Sequence, residues 1–500
     1  MKKILVIAVL TSLTVGVYAQ CDSMVIVVGM EIDPHLKKPF DPSDFTVVPT
    51  DDPAPDTNIR RIYFIHGLGG DATAWEKVAE ACDTKLGIKD FPARKCFTAR
   101  PEYSSNSRGS LNTAAKYIRG EMSKTAADDS LTHGMHPSQS IIIAHSQGGL
   151  VARQLMHLDL VSETWALPKH GMNYGGVVMV ASPLQGAKIL ANRDYIFTMV
   201  NNGCKQLARG WSREIKDLPL VGKWLSGMFD NLTKTVCNVA TNNIMPMFFK
   251  EYYDGITNDY NPSMAKGINT INMLNQDNST DAYCKLPKMA FYAVEPQDNI
   301  FWRTLNYMYY NPNGNNGKDG PDFEHFGAND DWYFYKNEAK PIINLYKVIT
   351  EAYQAEYERL WEKYFKYGCI YEKRMENARE HYFAWGAGYD WIKNINTNWE
   401  IIIGARECEK MPYPSNPTHP QPKWKCDLKH ENDGVVLAES AADLPCATHK
   451  PVRIYPKEFE TNAVNRGSSH MQVRNDEGLK EHLNKLLNGD YGKWFRTVEQ

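Results

Sequence analysis

The segment Ala144-His145-Ser146-Gln147-Gly148 follows an apolar run, Ser140 to His145, and precedes a helical stretch through Leu158. A serine at a sharp strand-to-helix turn adopts a strained backbone that exposes its hydroxyl, and residues two positions away must be small so that strand and helix can approach. Ala144 and Gly148 meet that need, Ala144 being one methyl larger than the usual glycine. The turn also puts Ser146 at a helix start, where unpaired N–H groups and the positive dipole end stabilise a developing oxyanion. Taken alone, Ser-x-Gly says only that a serine caps a helix, a position it favours. The balance shifts because His66-Gly67-Leu68-Gly69-Gly70 follows an earlier strand and forms a loop able to aim a second N–H at the same carbonyl. The expected oxyanion donors are the N–H groups of Leu68 and Gln147. His66 and His145 are expected to fix their loops by hydrogen bonds, with Gly67 and Gly148 as the supporting small residues.

A serine hydroxyl needs a base, and the base needs an orienting carboxylate. With a nucleophile on this kind of turn, the chain order is serine, acid, histidine. His470 is the expected base, because Asn465 to His470 (NRGSSH) is a polar loop after the last strand and before the final helix. His449 precedes that strand and His482 falls within the helical pattern, so both suit surface or structural roles. The acid is a choice among three. Asp298 lies just beyond a strand ending at Val294, where this fold usually places its acid, and Glu295 is nearby. Asp433 sits in Glu431 to Val436 (ENDGVV), whose Asn-Asp-Gly turn can hold a carboxylate in one place, whereas Asp298 enters a long insertion at once. Asp433 is therefore the expected acid, an excursion that leaves a strand's end being able to return there.

These groups need a scaffold, and from about residue 60 the chain alternates strand, glycine turn and helix, the pattern of a mainly parallel sheet covered by helices on both faces. The expected strands are Arg61 to Ile65, Ser140 to His145, Gly176 to Ala181, Lys288 to Val294 and Pro451 to Tyr455. Helices are expected at Thr73 to Cys82 and near Asn475 to Leu487. Two segments, 188–285 and 299–425, interrupt the pattern. Both read as helical and aromatic, the second containing the run Lys340 to Tyr367. The Asn/Asp/Gly-rich stretch Asn311 to Asp322 misses the EF-hand spacing and reads as a surface turn.

The chain's 500 residues are 43% hydrophobic, enough for a large core, and the formal charge of −3 offers no signal for nucleic acid. Residues 1–19 carry Lys2 and Lys3, an apolar run from Ile4 to Val17 and small-residue cleavage chemistry at Val17-Tyr18-Ala19, which reads as a secretory signal peptide. A lipoprotein anchor at Cys21 is disfavoured by Gln20, where a small residue is expected. The expected location is therefore periplasmic or secreted. Ten widely spaced cysteines suit disulfides in an oxidising compartment. With no CxxC pair and no clustered His/Cys set, no structural zinc is expected, and acyl transfer by a serine requires no metal or organic cofactor.

HGLGG (66–70), AHSQGG (144–149), ASPLQGA (181–187), NDGVV (432–436) and SSHMQVRND (468–476) together resemble the lipase/esterase branch of the α/β-hydrolase superfamily, that of true lipases and PGAP1-like proteins. The resemblance implies an α/β-hydrolase fold with a Ser146, Asp433 and His470 triad and oxyanion donors at Leu68 and Gln147. The implied layout is an N-terminal segment 20–59, core parts 60–187, 286–298 and 426–500, and mainly helical insertions 188–285 and 299–425. The implied activity is hydrolysis of carboxylic esters through an acyl-enzyme, on an acyl-ester or lipid-like substrate, with transient contact at a lipid surface. Aromatic residues of the insertions suit either an apolar cap over the site or the insertions' own core. An amidase or peptidase, an acyltransferase, or a non-catalytic surface-binding protein on the same scaffold would share these motifs.

Overall fold

The computed structural model describes residues 30–33, 40–47, 60–75, 96–104, 109–161, 174–192, 203–208, 270–277, 286–295, 340–410, 424–455, 469–471 and 473–497, with Val78, Ile196, Met199, Cys284, Ile300, Phe301 and Thr304. The chain divides into two compact units. The expected signal peptide, Asp298 and Asn311 to Asp322 lie outside the described residues, as does most of 188–285.

One unit comprises residues 39–191, 246–331 and 430–500. Its strands are β2 (Arg60–Ile65), β3 (Cys96–Ala99), β4 (Ile141–His145), β5 (Gly176–Val180), β6 (Lys288–Ala293) and β9 (Val452–Ile454), in the order β3-β2-β4-β5-β6-β9. Every neighbouring pair is parallel. Every residue of β4, β5 and β6 is buried. That is why they read as unbroken apolar runs instead of alternating ones. Burying each of Ile141, Ile142 and Ile143 contributes about 1.5–3 kcal/mol. Helices α1 (Leu111–His133), α2 (Gln147–Val161), α4 (Thr270–Asp277), α8 (Ala438–Ala442) and α9 (Glu477–Asn488) belong to this unit, as does the short α3 (Lys188–Ala191). This is an α/β-hydrolase fold. Among the described residues, no strand of the parallel sheet comes from 188–285 or 299–425. At the start of the helix expected at Thr73 to Cys82, Ala72–Trp75 forms a 3-10 turn whose Trp75 is buried in the core, Val78 is helical, and the remaining residues of that stretch lie outside the described residues. Arg60, the buried first residue of β2, stacks 3.9 Å over Trp494 near the C-terminus and donates to the carbonyl of Gln139 at 2.6 Å. Burial lowers its pKa to about 9.

The other unit comprises residues 1–38, 192–245 and 332–429. It contains helices α5 (Lys340–Tyr367), α6 (Glu372–Lys393) and α7 (Ile395–Ile402), and strands β1 (Met30–Asp33), β7 (Arg406–Lys410) and β8 (Trp424–Leu428). Strand β8 pairs parallel with β1 and antiparallel with β7, giving a three-stranded sheet. The reading from sequence returns the chain to the parallel sheet at 426. In the structure Cys426 is instead bonded to Cys408 directly opposite it in that small sheet, and the parallel-sheet unit resumes at His430. Short strands such as β8, which pairs with β1 across nearly four hundred positions, leave no local sign of which sheet they join. A second disulfide, Cys284–Cys446, lies in the hydrolase-fold unit.

Candidate active site

The turn after β4 is built by close approach. Ser146 has φ +55°, a left-handed backbone rare for a residue with a side chain, held by its N–H donating to Val180 at 3.0 Å. A Cβ on Gly148 would lie 2.5 Å from the carbonyl oxygen of His66 and 2.7 Å from that of Ile65. One on Gly67 would lie 2.8 Å from Cβ of Ser146. The His66–Gly70 loop is therefore pressed against the serine turn through bare backbone, Leu68 following Gly67 in that loop and Gln147 taking the first position of α2 directly after Ser146. Between Ile141 and Leu150, Ser146 is the one residue that is not buried.

Asp433 is positioned by hydrogen bonds. Its Oδ1 accepts the N–H of Val435 at 3.0 Å and of Val436 at 2.7 Å, while Oδ1 of Asn432 accepts the N–H of Gly434 at 2.9 Å. The turn is docked to the end of β6, where the N–H of Glu295 donates to the carbonyl of Asn432 at 2.7 Å. The long excursion thus leaves from the end of β6 and returns to it. Glu295 itself is buried there.

His470 joins the two turns. Its Nδ1–H donates to Oδ2 of Asp433 at 2.8 Å, and its Nε2 accepts the hydroxyl of Ser146 at 2.8 Å. The carboxylate, which can only accept, sets that tautomer. The backbone N–H of His470 also donates to the carbonyl of Asp433 at 2.7 Å. From below, Nε2–H of His145 donates to the carbonyl of His470 at 2.8 Å. Burial, then the neighbouring charges of His470 and Arg474, hold the His145 imidazole well below its ordinary pKa, so it stays neutral. Of the other histidines considered, His482 in α9 pairs with the Tyr491 hydroxyl at 2.6 Å.

Two further groups of residues position the site without any sign in the sequence. The segment after β3 clamps both ends of the Leu68 loop. The Tyr103 hydroxyl donates to the carbonyl of His66 at 2.6 Å and its ring stacks on the His66 ring at 4.1 Å. Next to it, Glu102 accepts the N–H of Ala72 at 2.5 Å and of Ser104 at 2.6 Å. Burial raises the Glu102 pKa, but hydrogen bonds from His66, Ser104 and Ala72 outweigh it and lower the value to about 2. The second group stitches the ASPLQGA segment to its neighbours. Arg153 of α2 donates to the carbonyl of Leu184 at 2.7 Å, and the hydroxyl of Ser440 in α8 donates to that of Gly186 at 2.8 Å. The helix after Ser146 and the helix after Asp433 are thereby tied to one loop.

No family model and no curated protein matches the chain. Among solved structures it is similar to an extracellular alpha/beta-hydrolase from a Paenibacillus species, at 18% identity and a TM-score of 0.18, over 26% of this chain and 45% of that one. It is similar to phospholipase PlaB from Legionella pneumophila at 18% identity and a TM-score of 0.20, over 27% of each chain. A third similarity is to the product of gene lin2722 from Listeria innocua, at 19% identity and a TM-score of 0.19, over 26% of this chain and 53% of that one. The match thus spans about half or less of each of these proteins. The chain carries an α/β-hydrolase fold, with a serine, a histidine and an aspartate in one hydrogen-bonded line at the carboxyl edge of its parallel sheet.

Proposed function

We propose that the protein is a serine hydrolase of the lipase/esterase kind that cleaves carboxylic esters through an acyl-enzyme. The observation that carries this reading is His470, hydrogen-bonded at 2.8 Å to both Ser146 and Asp433. His470 takes the Ser146 proton as the oxygen attacks the ester carbonyl, then delivers it to the departing alcohol. Asp433 stabilises the imidazolium in between. The N–H groups of Leu68 and Gln147 hold the oxyanion, and water releases the acyl group by the same steps in reverse. The chemistry is complete with the chain's own residues.

The bonded pairs Cys284–Cys446 and Cys408–Cys426 support the exported setting proposed from residues 1–19, because such bonds persist in oxidising compartments. Among the described residues, no helix is long and apolar enough to cross a membrane. Acyl esters of graded chain length, offered to the purified protein and to Ser146→Ala, test the function. Turnover that disappears with Ser146 and depends on acyl length is expected. Cleavage of anilides or peptides in preference to esters would move the assignment to an amidase, and equal turnover by the variant would remove Ser146 from the mechanism.

A further inference from the structure

Helices α5 and α6, of 28 and 22 residues, pack along each other as a hairpin that closes through Gly368–Tyr371. At about 1.5 Å per residue, α5 is roughly 40 Å long. Near the turn the hairpin has its own small core of Tyr357, Leu360, Met375 and Ala378. Beyond that core the residue types invert. Phe365 is 57% exposed, Tyr367 53% and Ile370 82%, so three of the seven large hydrophobic residues exposed among those described fall within six positions. Scattered exposed apolar residues are ordinary, whereas a cluster at the closed end of a helical hairpin marks a contact surface.

The charges at that end identify the contact. From Trp361 to Arg374 four cations, Lys363, Lys366, Lys373 and Arg374, stand against two carboxylates, on a chain whose formal charge is −3. Lys366 and Lys373 are exposed, and the lysine ammonium groups lie over aromatic faces, Lys363 at 5.6 Å from the Tyr371 ring and Lys366 at 5.1 Å from that of Tyr367. Aromatic rings and lysines interleaved in this way suit a lipid headgroup boundary. The rings enter the apolar side, the lysine stems run alongside, and the ammonium groups meet lipid phosphates. We propose that the α5–α6 tip docks on an anionic lipid surface. The proposal stands on the tip and is independent of the hydrolase reading.

Flotation of the full chain with vesicles tests it, using Ser146→Ala so that binding is read without turnover. Vesicles of phosphatidylcholine alone are compared with phosphatidylcholine plus phosphatidylglycerol, at low and high salt. The expected result is binding to the anionic vesicles that salt weakens. Phe365→Ser, Tyr367→Ser and Ile370→Ser combined should weaken it about tenfold or more, as should Lys363→Glu, Lys366→Glu and Lys373→Glu combined. All six changes lie outside the hairpin core, and an unchanged melting temperature verifies the fold of each variant. The proposal is overturned if the parent chain binds no vesicles, or if either variant binds as well as the parent. It is overturned equally if the serine variant leaves flotation intact but turns a dimer into a monomer, which would make the tip a contact between two copies.

Discussion

Ser146 is fixed by lack of space, with the backbones at Gly67 and Gly148 pressed against it and its own φ at +55°. Asp433 is fixed by hydrogen bonds, with two N–H groups on one of its oxygens, His470 on the other, and Asn432 closing the turn beside it. The two turns therefore fail in different ways. Added volume breaks the first, whereas the second tolerates isosteric change and suffers when an acceptor is lost. The difference suits their proposed tasks: a nucleophile has to stay accessible, so few partners can hold it, while a buried carboxylate can use every lone pair.

The largest expected effect belongs to the hydrogen-bonded turn. Asp433→Asn keeps an acceptor for Val435 and Val436 but no longer selects the His470 tautomer, so turnover should fall on the order of 10⁴-fold with the melting temperature little changed. Asp298→Asn should leave turnover near that of the parent. A reversed ranking in kcat would reassign the acid.

Next in size is the crowded turn. Gly148→Val places a side chain against two carbonyl oxygens of fixed backbone, which should destabilise the fold by about 1–3 kcal/mol and lower turnover less than Asp433→Asn does. Urea unfolding of the variant measures this, and a parent-like midpoint would mean that Ser146 is not held by close approach.

The clamp on the Leu68 loop should respond more mildly. Tyr103→Phe leaves the buried carbonyl of His66 without its side-chain donor, at a cost of about 1–3 kcal/mol. If that loop carries an oxyanion donor, kcat should fall while KM hardly moves. Loss of stability with kcat intact would confine Tyr103 to a structural role.

Smallest is a pH effect. The folded chain keeps His145 neutral, while the unfolded chain takes up a proton near the ordinary value of 6.5. Stability should thus be independent of this group above pH about 6.5 and decline as pH falls below it, because the unfolded state then binds more protons. Urea midpoints measured across that range should fall less steeply for His145→Gln, and an identical slope would assign the decline to other groups.

The parts of this site that are legible in the sequence are those whose geometry is local. Ser146 between an apolar strand and a helix, Asp433 in its Asn-Asp-Gly turn and His470 on the loop before α9 each follow from the few residues around them. Glu102 and Tyr103 do not, because nothing near them in the chain indicates the loop they clamp, and Tyr103 reaches His66 across 37 positions. The sheet of β1, β7 and β8 is hidden for the same reason. Strand β1 pairs with β8 from the far end of the chain, and although β7 and β8 are close in sequence, the pairing of Cys408 with Cys426 becomes visible only once they lie in register.

The central claim, that Ser146 is a nucleophile activated by His470 and Asp433, is tested most directly by labelling the purified protein with a fluorophosphonate and mapping the adduct by peptide mass. The account predicts a single adduct on Ser146, absent from Ser146→Ala and formed far more slowly in Asp433→Asn. An unlabelled parent protein, or an adduct that persists in Ser146→Ala, would contradict it.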